Sequence, residues 1–141
     1  FRIQYIGPPE LATSESYVAS VTQLPVQRAG EDGVIVVYSF GVALYVVPPG
    51  ATEDPVLVEA SSTPGRLSIA LRNEGTKHAF LTNDRIEVSS GQGFVLEGDT
   101  LSGAVGNPIL PPGALRRFEF DLPGLPGGVS SSSVRYTPRN D

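Results

Sequence analysis

Apolar and polar residues alternate along most of this chain, and the longest alternation runs from Val34 to Val47. Its even positions, Val34, Val36, Tyr38, Phe40, Val42, Leu44 and Val46, are all apolar. Its odd positions mix Ile35, Val37, Tyr45 and Val47 with Ser39, Gly41 and Ala43. A period of two predicts a β-strand with one wholly apolar face and a second that is only partly so. Ordinary strands average about 5–6 residues, whereas this run, at about 3.3 Å per residue, would reach roughly 46 Å. Its β-branched content and Gly41 suit a strand better than a helix, and it falls short of the roughly 20 residues that a membrane-crossing helix needs.

Shorter alternations surround it. The pattern predicts strands at 1–6, at 16–24 (with Tyr17, Ala19, Val21 and Gln23 on one face), and then, after the Asp32-Gly33 turn signal, at 34–47. Pro48-Pro49-Gly50 stop the long strand, and residues 50–55 read as a linker. Further strands are predicted at 56–60, 66–73, 77–88, 93–96, 100–104, 114–122 and 132–137. The cleanest is 66–73, where Leu67, Ile69 and Leu71 alternate with Arg66, Ser68 and Arg72. In 114–122, Leu115, one of Arg116-Arg117, Phe118, Phe120 and Leu122 are expected to share an inward face. The stretch 123–133, "PGLPGGVSSSS", reads as a loop. No amphipathic helix free of Gly and Pro emerges from the pattern. The expected fold is therefore all-β, built as immunoglobulin-like β-sandwiches. Seven short strands in about 90 residues are the size of one complete sandwich, at 56–141, after an incomplete first domain at 1–49.

Composition narrows the chemistry. The chain has 141 residues, 40% of them hydrophobic, with 16 Gly and 13 Pro. The formal charge is −5, and Lys77 is the single lysine beside nine arginines. No basic run offers an electrostatic footprint, so no nucleic-acid partner is expected. With no cysteine, disulfide, zinc-thiolate and thiol-nucleophile chemistry are closed. The sequence opens on Phe1 and holds no methionine, so an upstream segment is expected to have been removed, and no signal peptide is visible.

The fragments Arg2, Glu15-Ser16-Tyr17, Leu24-Pro25 and Val46-Val47-Pro48, framing a long alternating strand, resemble the periplasmic chaperones of the chaperone–usher pilus pathway. "LSIALRNEGTKHAFLTNDRIEV", with Asn73 after an alternating strand, and "NPILPPGALRRFEF" look like strands of that family's second domain. The style is nearest its archaic or alternative branch. The resemblance implies a non-enzymatic, periplasmic protein without a cofactor. Its partners would be pilus or fimbrial subunits and an outer-membrane usher. The chaperone would lend its long strand to a subunit that lacks one, with backbone bonds supplying affinity and alternate side chains filling pockets. The donor face maps onto Val34, Val36, Tyr38 and Phe40, and 42–46 would belong to the chaperone's own core. An uncovered edge of this kind also implies self-association when no subunit is bound. One departure stands out. Typical members carry a lysine on this strand that holds the subunit's terminal carboxylate, and Gly41 and Ala43 occupy that neighbourhood here. The competing reading is a structural or adhesive immunoglobulin-like pilus or surface subunit.

The remaining candidates have simpler expected roles. His78 is the only histidine and is expected to face solvent at the start of a strand, since no nucleophile at a suitable spacing accompanies it. Glu31-Asp32 and Glu97-Gly98-Asp99 lack the ordered series of a calcium loop and read as turns. One of Arg116 and Arg117 must point inward or toward an edge, with Glu119 or Asp121 as partners. Tyr5, Tyr17 and Tyr45 read as packing residues rather than a sugar platform.

Overall fold

The computed structural model describes residues 2–24, 34 and 36–139. Phe1, Pro25, the Glu31-Asp32 pair, the Asp32-Gly33 turn and Ile35 lie outside the described residues. The fold is all-β and antiparallel. Two strands form a front ribbon, β1 (Glu15–Thr22) and β2 (Ser39–Val46). Behind it stand β3 (Pro55–Thr63), β4 (Arg66–Asn73), β5 (Ala79–Phe80), β6 (Arg85–Val88), β7 (Phe94–Glu97), β8 (Ile109–Leu110), β9 (Leu115–Asp121) and β10 (Val134–Thr137). One helix, α1 (Gly98–Val105), joins β7 to β8.

The rear strands make a sandwich. One sheet has the order β3-β4-β9, the other β10-β6-β7, and β5 pairs with β8 as a short flanking sheet. Leu67, Ile69 and Leu71 of β4 and Phe118 and Phe120 of β9 turn inward. They meet Ile86 and Val88 of β6, Leu96 of β7 and Val134 of β10. Alternation at period two is what lets each strand give one face to this core and the other to water.

The rear strand 66–73 forms as expected. Others differ, each for a definable reason. The segment 100–104 is helix, not strand: Leu101 and Val105 are four apart, share one helical face and are both buried. Gly98 and Gly106, both at positive φ, bound the helix. The segment 77–88 is broken into β5, a 3-10 turn at Leu81–Asn83, and β6. Asp84 closes that turn, its N–H donating to Leu81 O, while its buried carboxylate accepts from the Tyr136 hydroxyl and the Arg139 N–H. Burial pushes the carboxyl of Asp84 and the phenol of Tyr136 up. In β9 the inward set is Arg116, Phe118 and Phe120, and Leu115 lies on the outward face and is exposed. Arg117 pairs with Glu59 at 2.8 Å, whereas Glu119 and Asp121 are held by Arg66. The expected strand 1–6 is not one: residues 2–6 join no sheet.

The linker is pinned rather than loose. Thr52 O accepts from the N–H groups of Thr76 and Lys77, and Asp54 O accepts from Glu74 N–H. Gly75 is needed at this crossing, because a Cβ there would sit 2.3 Å from Thr52 O. Asn73, fully buried, organises the same corner with four bonds. Its Oδ1 accepts from the N–H groups of Asp54 and Gly75, and its Nδ2 donates to the carbonyls of Lys77 and Leu110. Replacing the side chain strands four backbone groups at the end of the core. Asn73→Ala is expected to lower unfolding free energy by ~2–4 kcal/mol, read by chemical denaturation. Asn73→Asp should not rescue it, since a carboxylate would face two carbonyls.

Candidate functional site, an uncovered face of the front ribbon

The β1–β2 register decides which side chains share a face. Tyr17 lies opposite Leu44, Ala19 opposite Val42 and Val21 opposite Phe40, so these six and Val46 form one apolar face. Ser20 lies opposite Gly41 and Thr22 opposite Ser39, which makes the other face small and polar toward the ribbon's tip. Near its base that second face carries Val18, Ala43 and Tyr45. The ribbon is thus amphipathic, as a strand pair should be when one face is destined for burial.

The rear sandwich reaches only the base of the polar-tipped face. Tyr45 meets His78 and Phe80 edge-on, with centroids 5.0 and 5.8 Å apart. Just before β1, the N–H of Ser14 donates to Thr76 O at 2.7 Å. Ser14 Oγ accepts from His78 N–H at 3.0 Å and is bonded to His78 Nδ1. His78 is buried, not solvent-facing as its place beside Lys77 suggested. Burial lowers its pKa from the ordinary 6.5. Ser14 is buried too, with its N–H and its Oγ both bonded to residues just before β5. The pair clamps ribbon to sandwich.

The apolar face is left open at its tip. Segment Ile3–Gly7 lies over its base and, with Tyr17, Leu44 and Val46, lines an open pocket of about 510 Å³. Tyr5 and Tyr17 rings stand 6.1 Å apart there, and the Tyr17 hydroxyl donates to Glu15, which pushes its pKa up to about 12. Beyond this cover, Val21, Thr22, Gln23, Tyr38 and Phe40 line an open groove of about 440 Å³.

The four expected donor residues fall at and beyond this open end. Relative exposures are 94% for Val34, 61% for Val36, 59% for Tyr38 and 63% for Phe40. The regular strand is shorter than the alternation, because only Ser39–Val46 is paired with β1. Of the four, Phe40 is in the ladder. Tyr38 extends it by one bond, its carbonyl accepting from Gln23 N–H at 2.8 Å, and its ring stacks on Phe40 with centroids 6.4 Å apart. Val34 and Val36 lie outside any sheet. Of the expected core positions 42–46, Val42 is half-exposed and Leu44 and Val46 are partly covered. Both outer edges of the ribbon are unpaired among the described residues.

Sequence reasoning missed His78 and Ser14 as the clamp. The one available signal is phase: His78, just before β5, and Phe80 within it share parity, and both meet Tyr45. No group of three or more His, Asp or Glu side chains is placed to hold a metal among the described residues. Comparison with protein-family models, with curated proteins and with solved structures returns no match.

The clamp makes ribbon docking sensitive to acid. A histidine whose folded pKa lies below its unfolded value contributes stability that is present above pH 6.5 and lost as pH falls through the folded pKa. NMR titration should place the His78 imidazole pKa below 6.5, and the Tyr45 ring resonances should lose their docked shifts on the same acid limb. In His78→Asn that limb should disappear.

Proposed function

We propose that this chain is a strand-donating chaperone that binds pilus or fimbrial subunits in the periplasm and passes them to an outer-membrane usher. The observation that carries the reading is the exposure of Val34, Val36, Tyr38 and Phe40, of which Phe40 lies on the apolar face of β2 and Tyr38 stacks on it. An exposed apolar patch such as Val21, Tyr38 and Phe40 make marks an interaction site, and an unpaired strand edge beside it offers the backbone groups that a second chain needs. Donation would cover the subunit's open core and the ribbon's own face in one step. Release follows when another subunit's extension takes the donor's place, which needs neither a nucleotide nor a cofactor. The subunit's terminal carboxylate would have to be anchored without a lysine on this strand.

A second reading, an immunoglobulin-like structural or adhesive subunit, is favoured by segment Ile3–Gly7, which already covers the base of the same face. A module of that type would satisfy its own sheet instead of lending a strand.

A tagged full chain, purified from periplasmic extract and analysed by mass spectrometry, separates them. The chaperone reading expects a stoichiometric small partner with an alternating apolar N-terminal extension. Val36→Asp and Tyr38→Asp should each weaken capture by about 10- to 100-fold, the loss of one buried apolar side chain, while the rear sandwich keeps its thermal transition. Capture at wild-type yield by both variants, or a partner-free monomer, sinks the donor assignment.

A further inference from the structure

We propose that the segment His78–Asp84 gives the two parts of the molecule opposite responses to acid, loosening the ribbon while tightening the sandwich. The segment runs from just before β5, through the 3-10 turn at Leu81–Asn83, to the residue before β6. Its middle is fixed. Ala79 and Leu81 are buried in the core, and the Leu81 N–H donates to Pro108 O at 3.0 Å. Its two ends are the buried histidine and the buried carboxylate of the described residues, each 3% exposed. They face different neighbours, and neither end touches Val34, Val36, Tyr38 or Phe40, so the device stands whether or not the ribbon donates a strand.

The His78 end faces the ribbon, through Ser14 and the ring of Tyr45. No Asp or Glu lines the cleft beside the imidazole, whereas the Arg116 guanidinium does. Tyr17 and Tyr45 are its uncharged titratable neighbours there. Lys77, the preceding residue, is paired with Glu53 at 3.6 Å. An imidazolium at this place gives up water, gains no anion and shares a cleft with a standing cation. Protonation therefore works against docking.

The Asp84 end faces the last strand. Its carboxylate accepts from the Tyr136 hydroxyl of β10 and from the Arg139 N–H at 3.1 Å, both neutral donors. No cation answers its charge. The Arg85 guanidinium is turned to Glu87 and Glu97, at 2.8 Å each, and the Arg139 side chain is exposed. Glu53 of the linker adds like charge. Burial outweighs the two hydrogen bonds, and the Asp84 pKa stands above the ordinary 3.8. Once protonated, the carboxyl keeps both contacts: one oxygen still accepts from Arg139 N–H, and the acid hydroxyl donates to the Tyr136 oxygen. A carboxyl with a raised folded pKa adds stability as pH falls through that pKa, and the gain is complete below 3.8. The sign is opposite to that of His78. The exposed ion pairs of Arg66, Arg85 and Arg117 weaken over the same range, but exposed pairs add little. Mild acid then frees the ribbon from a sandwich that is held more firmly.

The test follows isotope-labelled full chain by NMR and by thermal unfolding from neutral pH down to 3.8. The Tyr45 ring should lose its docked shifts while the amides of Leu67, Ile69 and Leu71 stay protected from exchange. The Asp84 carboxyl carbon should titrate above 3.8, and the sandwich's thermal midpoint should rise across that titration. Asp84→Asn, whose amide accepts from Arg139 N–H and donates to Tyr136, should melt higher than wild type at neutral pH and lose the rise. Tyr136→Phe removes a bond that favours the carboxylate and should move the Asp84 titration to higher pH, which a purely structural contact would not do. Loss of amide protection in the same step as ribbon release overturns the proposal. So does a ribbon that stays docked, an Asp84 that titrates below 3.8, or an Asp84→Asn chain that melts lower than wild type at neutral pH or does not fold.

Discussion

A ribbon of two strands has one hydrogen-bonded seam, two outer edges and two faces, and the sandwich behind this one covers only the base of one face. Such a hairpin is marginal by itself in water. Everything about the front of the molecule follows from that shortage of cover. The Ser14–His78 clamp, the edge-on packing of Tyr45 and the fold of Ile3–Gly7 over Tyr17 and Leu44 each recover part of the missing contact. All three act at the base. The tip keeps its apolar row bare, and the proposed capture of a second chain starts from that imbalance.

The rear of the molecule solves the opposite problem. Its inward-facing apolar side chains are covered by the opposite sheet, so the groups left to be satisfied are polar. Asn73, His78 and Asp84 are all buried, and each ties a chain segment outside the two main sheets to the sandwich. Asn73 binds the linker and the loop after β4, His78 the entry to the ribbon, and Asp84 the residues after β10. The cost of an unmade buried bond is what gives these segments single positions. The core itself needs only the period-two alternation.

Alternation was legible in the central strand of the β3-β4-β9 sheet, which has a partner on each side. Arg66–Asn73 was readable to the residue, because Leu67, Ile69 and Leu71 alternate and Gly65 and Asn73 punctuate them. The apolar parity of Val34, Val36, Tyr38 and Phe40 was readable for the same reason. The length of the strand was not, since pairing depends on what lies opposite, and β1 offers partners only for Ser39–Val46. Helix α1 escaped notice because Gly98, Gly103 and Gly106 mask a face made of only Leu101 and Val105. The inward turn of Arg116 and the burial of His78 arise from neighbours distant in sequence, Asn107 and Ser14, which no local pattern announces.

The attachment of the ribbon at one end has a mechanical side. Ser14 and Tyr45 sit at the Glu15–Val46 end of the ladder, and the Thr22–Ser39 pair sits at the other, seven rungs away. The ribbon is a cantilever. A pull along its long axis loads all the rungs together in shear. A sideways pull at Phe40 instead peels the Thr22–Ser39 rung first and the others in turn. Whatever grips the tip can therefore be held firmly against a lengthwise tug and let go by a small twist across it.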